Sequence, residues 1–266
     1  MSLYVSPIAS GSKGNCIYIG TKDTKILIDA GISGIKIKNA LDEINICIDD
    51  IDAVFVTHEH SDHIDGVGVL ARKYNIPIYA TEGTWEAMCQ KVGKIPTNNK
   101  KIVYVDEGIV LNDMLIRPFG VPHDAKEPVC YNVFYDGVKV CVATDFGHVT
   151  KNVIENIKYS SLLVLESNHD VDMLKAGDYS YSLKQRILGK YGHISNETCG
   201  KLLACVMNDK LKNVFLAHLS QENNTPDLAY LTVCNTLEEF GIKVERDVVL
   251  HLAKPYGITE LIKVEK

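Results

Sequence analysis

Short apolar runs recur along the whole chain, and several stop abruptly at a histidine or an aspartate. The first two, LYVSPIA and CIYIG, predict strands, because β-branched and aromatic residues suit a pleated, buried surface. Ser10-Gly11-Ser12-Lys13-Gly14-Asn15 joins them, either as a hairpin turn or as a glycine loop whose exposed amides bind an anion. A third strand over 25–28 ends at Asp29, a turn former or a carboxylate that holds a neighbouring ligand. Helical spacing follows at 34–43, 64–74 and 81–90, with Thr81 capping the last, and 76–80 is strand-like. Lysine-rich 91–101 reads as a solvated loop, with a nucleic-acid contact as the other reading. Strands are predicted at 101–105, 108–111, 114–119, 129–135 and 138–143, the last two joined by an Asp136-Gly137 turn. Beyond them helices at 152–158, 180–188, 196–208 and 226–240 alternate with strands at 161–165, 213–217, 243–252 and 258–264. That alternation predicts an α/β fold. With no repeat, low-complexity tract or linker, residues 1–266 read as one domain.

The sharpest change of character lies in residues 51–66, IDAVFVTHEHSDHIDG. Val54, Phe55 and Val56 form a buried-strand run that breaks into His58, Glu59, His60, Ser61, Asp62 and His63. Three imidazoles and two carboxylates packed this closely need something to bind. Neutral imidazole nitrogens and a carboxylate oxygen are the usual donors for a divalent metal such as zinc. His58, Asp145 and His218 each follow an apolar strand, and His123 follows another closely. Layered α/β folds place their sites where strand ends converge, so these distant residues can meet on one rim.

Composition bounds the class. At 266 residues, 46% hydrophobic and 23% charged, the chain has the makeup of a globular protein with a substantial core. No run approaches the roughly 18–20 apolar residues of a membrane span, and the N-terminal stretch lacks the pattern of a secretory signal. Eight scattered cysteines without a CxxC pair read as reduced, mostly buried thiols, which points to the cytoplasm. A net charge of −6 argues against a broadly basic nucleic-acid surface. Surface fields are screened beyond about 8 Å at physiological salt, however, so local charge at a metal site counts for more.

HxHxDH after a strand, followed in order by His123, Asp145 and His218, resembles the metallo-β-lactamase superfamily, a four-layer αββα sandwich, over essentially the whole chain. SGSKGNC, THEHSDHIDG, LARKYNIPIYA, ESNHD, GHISN and HLSQENN are similar to the YycJ/WalJ group of that superfamily. That group resembles nuclease-branch phosphodiesterases and is described as 5′-to-3′ exodeoxyribonuclease-like. The resemblance implies that His58, His60 and His123 hold a first metal, that Asp62, His63 and His218 hold a second, and that Asp145 bridges both. Two divalent ions (zinc, manganese or iron) roughly 3.5–4 Å apart would acidify a shared water and neutralise a phosphate oxygen. Asp62 would also orient that water or accept its proton. Five neutral imidazoles and two carboxylates leave such a centre net positive, which suits a phosphodiester. A carboxylate at position 145, where two-zinc lactamases often use cysteine, favours phosphodiester or thioester chemistry over lactam cleavage.

His193 in GHISN matches the context of a histidine that, in nuclease relatives, stabilises the transition state or protonates the leaving oxygen, while Ser195 reads as a helix cap. Ser12, Asn15, Ser220 and Asn223, with Asn224, are candidate contacts to substrate phosphate or plain turn residues. Glu166 and His169 either line the site or sit behind it, and His148 and His251 read as ordinary. Between Asp145 and His218 there is only helix–strand alternation, without the large insertion of β-CASP nucleases or a Gly/Pro-rich tRNA-gripping arm. The expected function is therefore a 5′-to-3′ exodeoxyribonuclease whose partner is nucleic acid, DNA first. Glyoxalase II-like thioester hydrolysis and RNA cleavage are the alternatives. A complete ligand set disfavours a non-catalytic interaction module.

Overall fold

In the computed structural model, which describes residues 2–266, the chain builds two mixed sheets on one plan. β1 (Leu3–Ala9), β2 (Cys16–Gly20) and β3 (Lys25–Ile28) form an antiparallel meander. Through α1 (Gly34–Glu43) the chain returns in β4 (Ala53–Phe55), parallel to β3. α2 (Ser61–Ile64), α3 (Val67–Lys73), β5 (Ile78–Ala80), α4 (Glu82–Met88) and β6 (Lys100–Ile102) extend this parallel half. The second sheet repeats the scheme. β7 (Ile109–Leu111), β8 (Met114–Gly120), β9 (Val129–Tyr135) and β10 (Val138–Ala143) are antiparallel neighbours. Then come α5 (Lys151–Ile157), β11 (Leu162–Glu166), α6 (Val171–Ala176), α7 (Tyr181–Leu188), α8 (Asn196–Val206), β12 (Asn213–Ala217), α9 (Pro226–Glu239) and β13 (Val249–Leu252). β11, β12 and β13 lie parallel beyond β10. β14 (Ile262–Val264) crosses back to pair antiparallel with β1.

Parallel neighbours need crossover helices, and those helices cover the sheet faces, so the strands carry apolar residues on both sides. β11, LLVLE, is buried at every position. Successive side chains alternate between faces. Ile26 and Ile28 enter the layer between the sheets while Leu27 faces the helices. On β9, Val129, Tyr131, Val133 and Tyr135 face inward and Cys130 faces out. α1, α3 and α4 cover the first sheet through Ile37, Leu70 and Trp85, and α5, α8 and α9 cover the second through Val153, Leu203 and Val233. This is the expected αββα sandwich.

Several expected elements are altered for local reasons. The helix over 64–74 is broken, because Gly66 sits tight against the β3–α1 loop: its N–H donates to Ala30 O at 2.8 Å, and a Cβ there would come within 2.4 Å of Ile32 O. The strand over 243–252 keeps only its second half, since the Asp247 carboxylate accepts from Lys243 N and curls the first half into a turn. The strands over 101–105 and 258–264 are likewise shorter, and α6 was not expected from the sequence; Asp170 caps it by accepting from Asp172 N and Met173 N. All eight cysteines are free, but Cys47, Cys89 and Cys205 are exposed, so burial is less general than expected. No helix among the described residues is long and apolar enough to cross a membrane.

Tyr131 Oη donates to Val56 O at 2.8 Å and Val129 N donates to Thr57 O at 3.0 Å, which ties the second sheet to the chain just beyond β4. Phe55 lies at this junction, stacked on Tyr79 at 4.6 Å and edge-on to Tyr131 at 5.6 Å. Phe55→Ala is expected to cost about 3–5 kcal/mol of stability. In urea unfolding the midpoint should fall with the slope unchanged.

Candidate metal centre

Three strand ends turn through the same uncommon conformation. Asp29 after β3, Asp145 after β10 and His218 after β12 have φ of 62°, 61° and 55°. Residues with a Cβ enter this left-handed region rarely, aspartate more readily than histidine. Surrounding hydrogen bonds hold the turns: Asp29 N donates to Phe55 O at 2.8 Å, and His218 N to Ser10 Oγ at 2.7 Å. The loops after β1 and β3 are also clamped onto α2, where Asn15 N and Ala30 N donate to the carbonyls of Asp62 and His63. A Cβ on Gly31 would come within 1.6 Å of Asp62 O, so that approach requires glycine.

All seven expected donors converge. His60 Nδ1 lies 3.1 Å from His58 Nε2 and 3.3 Å from His123 Nε2. Beside them Asp62 Oδ2 lies 3.4 Å from His63 Nε2 and 3.6 Å from His218 Nε2. Asp145 sits between these groups, with Oδ2 at 3.5 Å from His63 Nε2 and Oδ1 at 3.4 Å from His218 Nδ1 and 4.0 Å from His123 Nε2. His58, His60 and His123 form one cluster with donor atoms within 4.8 Å of one another, and Asp62, His63 and His218 form a second.

The chemistry of these groups fits a divalent cation. Asp145 Oδ2 and His218 Nε2 are buried without a hydrogen-bond partner, which is costly unless something charged completes them. Burial, with His63, His123 and His60 nearby, holds His58 well below the usual histidine range, so it is a neutral donor. Burial also opposes a proton on His63, but Asp29, Asp62 and Asp145 outweigh it and raise its pKa well above that range. His218 is pushed to about 10, because Asp145, Asp62 and Glu166 overcome its burial. The carboxylates thus draw protons onto these two imidazoles, and a divalent ion would replace those protons on binding.

A supporting layer fixes the donors. Asp29, which the sequence left as a turn former or a holding carboxylate, is both: it accepts from Thr57 N at 2.8 Å, Thr57 Oγ1 at 2.9 Å and His63 Nδ1 at 2.7 Å. Glu166 sits behind the donors, fully buried, its Oε1 2.7 Å from His193 Nδ1 and 3.0 Å from His218 Nδ1. Burial would raise its pKa, but His193 and His218 hold it below the usual carboxylate range. Asp124 lies 3.4 Å from His123 Nε2 and pairs with Arg186. His169 is buried away from the groove, while His148 and His251 bond to Lys190 O and Asn213 Oδ1 as ordinary structural histidines.

A groove of about 210 Å3 opens over the centre, lined by Asp62, Asp145, His193 and His218 together with Ser12 and Ser220. Two of the proposed substrate contacts are placed elsewhere. Asn15 is buried, its side-chain amide donating to Gly11 O at 3.1 Å and Asp62 Oδ2 at 3.2 Å, so it positions Asp62. Asn223 is also buried outside the groove lining, and its backbone N donates to Ser220 Oγ. Asn224 buckles loops together, donating to Ser167 O and Asn168 O. No functional reason in the sequence singles out Tyr179, Leu183, Arg186 and Ile187, which also line the groove; the helix that carries the last three was legible but not its position.

Fold and donor geometry together describe a metallohydrolase sandwich, and a family model of the metallo-beta-lactamase superfamily matches residues 9–218; the chain belongs to that superfamily. It is 44% identical over 261 residues to exodeoxyribonuclease YycJ of Bacillus anthracis, covering 98% of this chain and 99% of the relative. It is 40% identical over 261 residues to exodeoxyribonuclease WalJ of Streptococcus pneumoniae, covering 97% of each. The metallo-beta-lactamase fold protein YhfI from Bacillus subtilis has the same fold, with a TM-score of 0.72 at 16% identity over 99% of this chain and 100% of that one.

Asp29→Asn keeps a residue that tolerates the left-handed turn but removes the charge behind His63. Metal affinity, read by competition with a chromophoric chelator, is expected to fall about 10–100-fold.

Proposed function

We propose that this chain is a two-metal phosphodiesterase acting as a 5′-to-3′ exodeoxyribonuclease. The observation that carries this reading is the pair of abutting donor clusters with Asp145 between them, in a chain that aligns nearly end to end with two exodeoxyribonucleases. Two divalent ions held there, zinc, manganese or iron, would supply an acidified water and neutralise the phosphate.

The remaining work falls to the chain's own groups. Burial alone would raise the Asp62 carboxyl, but His63 and His218 keep it far below its usual range. It stays ionised and accepts a hydrogen bond from the attacking water, which fixes that water against the phosphorus. Asn15 holds the same carboxylate from behind. His193 lines the groove with Nδ1 engaged by Glu166, which leaves Nε2 to face the oxygen that departs. A ring fixed by a buried carboxylate is held in one orientation, which places Nε2 to hand a proton to the leaving group. Ser12 and Ser220 supply hydroxyls at the groove edge for non-bridging phosphate oxygens. Thioester hydrolysis, which the same donors can serve, has no feature of the groove in its favour.

The test is a matrix of zinc, manganese and iron against 5′-phosphorylated single- and double-stranded DNA. His193→Ala should lower kcat about 10²–10⁴-fold with metal content unchanged. Asp62→Ala should lose both metal and activity while remaining folded. Intact DNA across the whole matrix with metal-loaded wild type would sink the reading.

A further inference from the structure

α7 is unusual in this fold. None of its eight residues is buried, although it carries Tyr181, Leu183, Ile187 and Leu188. Most helices in proteins are stabilised by packing an apolar face, and here that face is left open. Polar contacts hold the helix instead: Arg186 pairs with Asp124, Lys184 Nζ donates to Lys175 O at 2.7 Å, and His193 N donates to Ile187 O at 3.0 Å. Leu183 and Ile187, one turn apart, and Tyr179, just ahead of the Ser180 cap, line the same groove as Asp62 and His193. The groove therefore joins metal-type donors to an apolar stripe with a phenol at its head and the Arg186 cation beside it.

We propose that this stripe seats one unpaired nucleobase, that of the terminal nucleotide whose phosphodiester lies at the donor cluster; the proposal rests on the nuclease reading above. A base has flat apolar faces and a polar rim and is tethered to phosphate, the combination that a stripe of Tyr179, Leu183 and Ile187 beside an anion-directed centre accommodates. Stacking on an aromatic ring accepts any base, so such a seat is tolerant of sequence. At about 210 Å3 the groove has room for one ring system.

Anisotropy of a 3′-fluorescein, phosphorothioate single strand bound to the metal-loaded protein tests this against a twin whose 5′-terminal nucleotide is abasic. Wild type should bind the intact strand about tenfold more tightly than the twin. Tyr179→Ala should erase the difference and Tyr179→Phe should keep it, both with an unchanged circular dichroism spectrum. Equal binding of the two strands by wild type overturns the proposal, as does discrimination that survives in Tyr179→Ala. Wild type that cuts DNA but ignores the missing base removes the nucleobase seat alone. Wild type that neither binds nor cuts DNA removes the nuclease reading and this proposal with it.

Discussion

The geometry of the donor cluster depends on one buried carboxylate. Asp29 draws together the end of β3, the turn after β4 through Thr57 and the start of α2 through His63. A buried carboxylate is costly until donors surround it, and these donors come from two residues, Thr57 and His63, on either side of the histidine-rich turn. Once satisfied, it fixes the path by which 58–63 leaves the strand, and hence where His58, His60 and Asp62 stand. Glu166 plays the corresponding part in the second sheet, where one carboxylate oxygen faces both His193 and His218. Each sheet thus contributes its own buried anion, and the donors lie between them.

This arrangement explains how an acidic protein can offer a site to an anion. The net charge of −6 is a property of the whole chain. At the centre, Asp62, Asp145, Asp29 and Glu166 are already engaged by imidazoles. Asp29 and Glu166 face the donors from behind, while Asp62 and Asp145 line the groove, where bound divalent ions would offset their charge. Arg186 lies at the rim with its charge shared with Asp124, and distant acidic residues are screened by salt.

The sequence made some of this legible and concealed the rest for physical reasons. His58, His60, Asp62 and His63 could be read together because they are contiguous and interrupt an apolar strand. Asp145 and His218 could be read because strand ends share a rim. Asn15 and Asn223 stayed open between substrate contact and turn because a loop asparagine serves a ligand or the backbone according to packing, and both are buried. The helix over 64–74 hid its break because Gly66 is dictated by contact with Ile32 and Ala30, far away in sequence. α7 could be read as a helix, but apolar spacing does not say whether a face meets the core or a groove. The left-handed turns at Asp29, Asp145 and His218 carry no sequence mark beyond the residue type.

The pairing of β14 with β1, Leu3 against Val264, has a bearing on how the molecule forms. It closes a loop of nearly the entire chain, and contacts of such sequence separation form late because the entropy of closing the loop must first be overcome. Until then β1 presents an unpaired row of amides and carbonyls, the kind of edge that recruits strands from other molecules. Misassembly during refolding is therefore expected to begin at the outer edge of the first sheet.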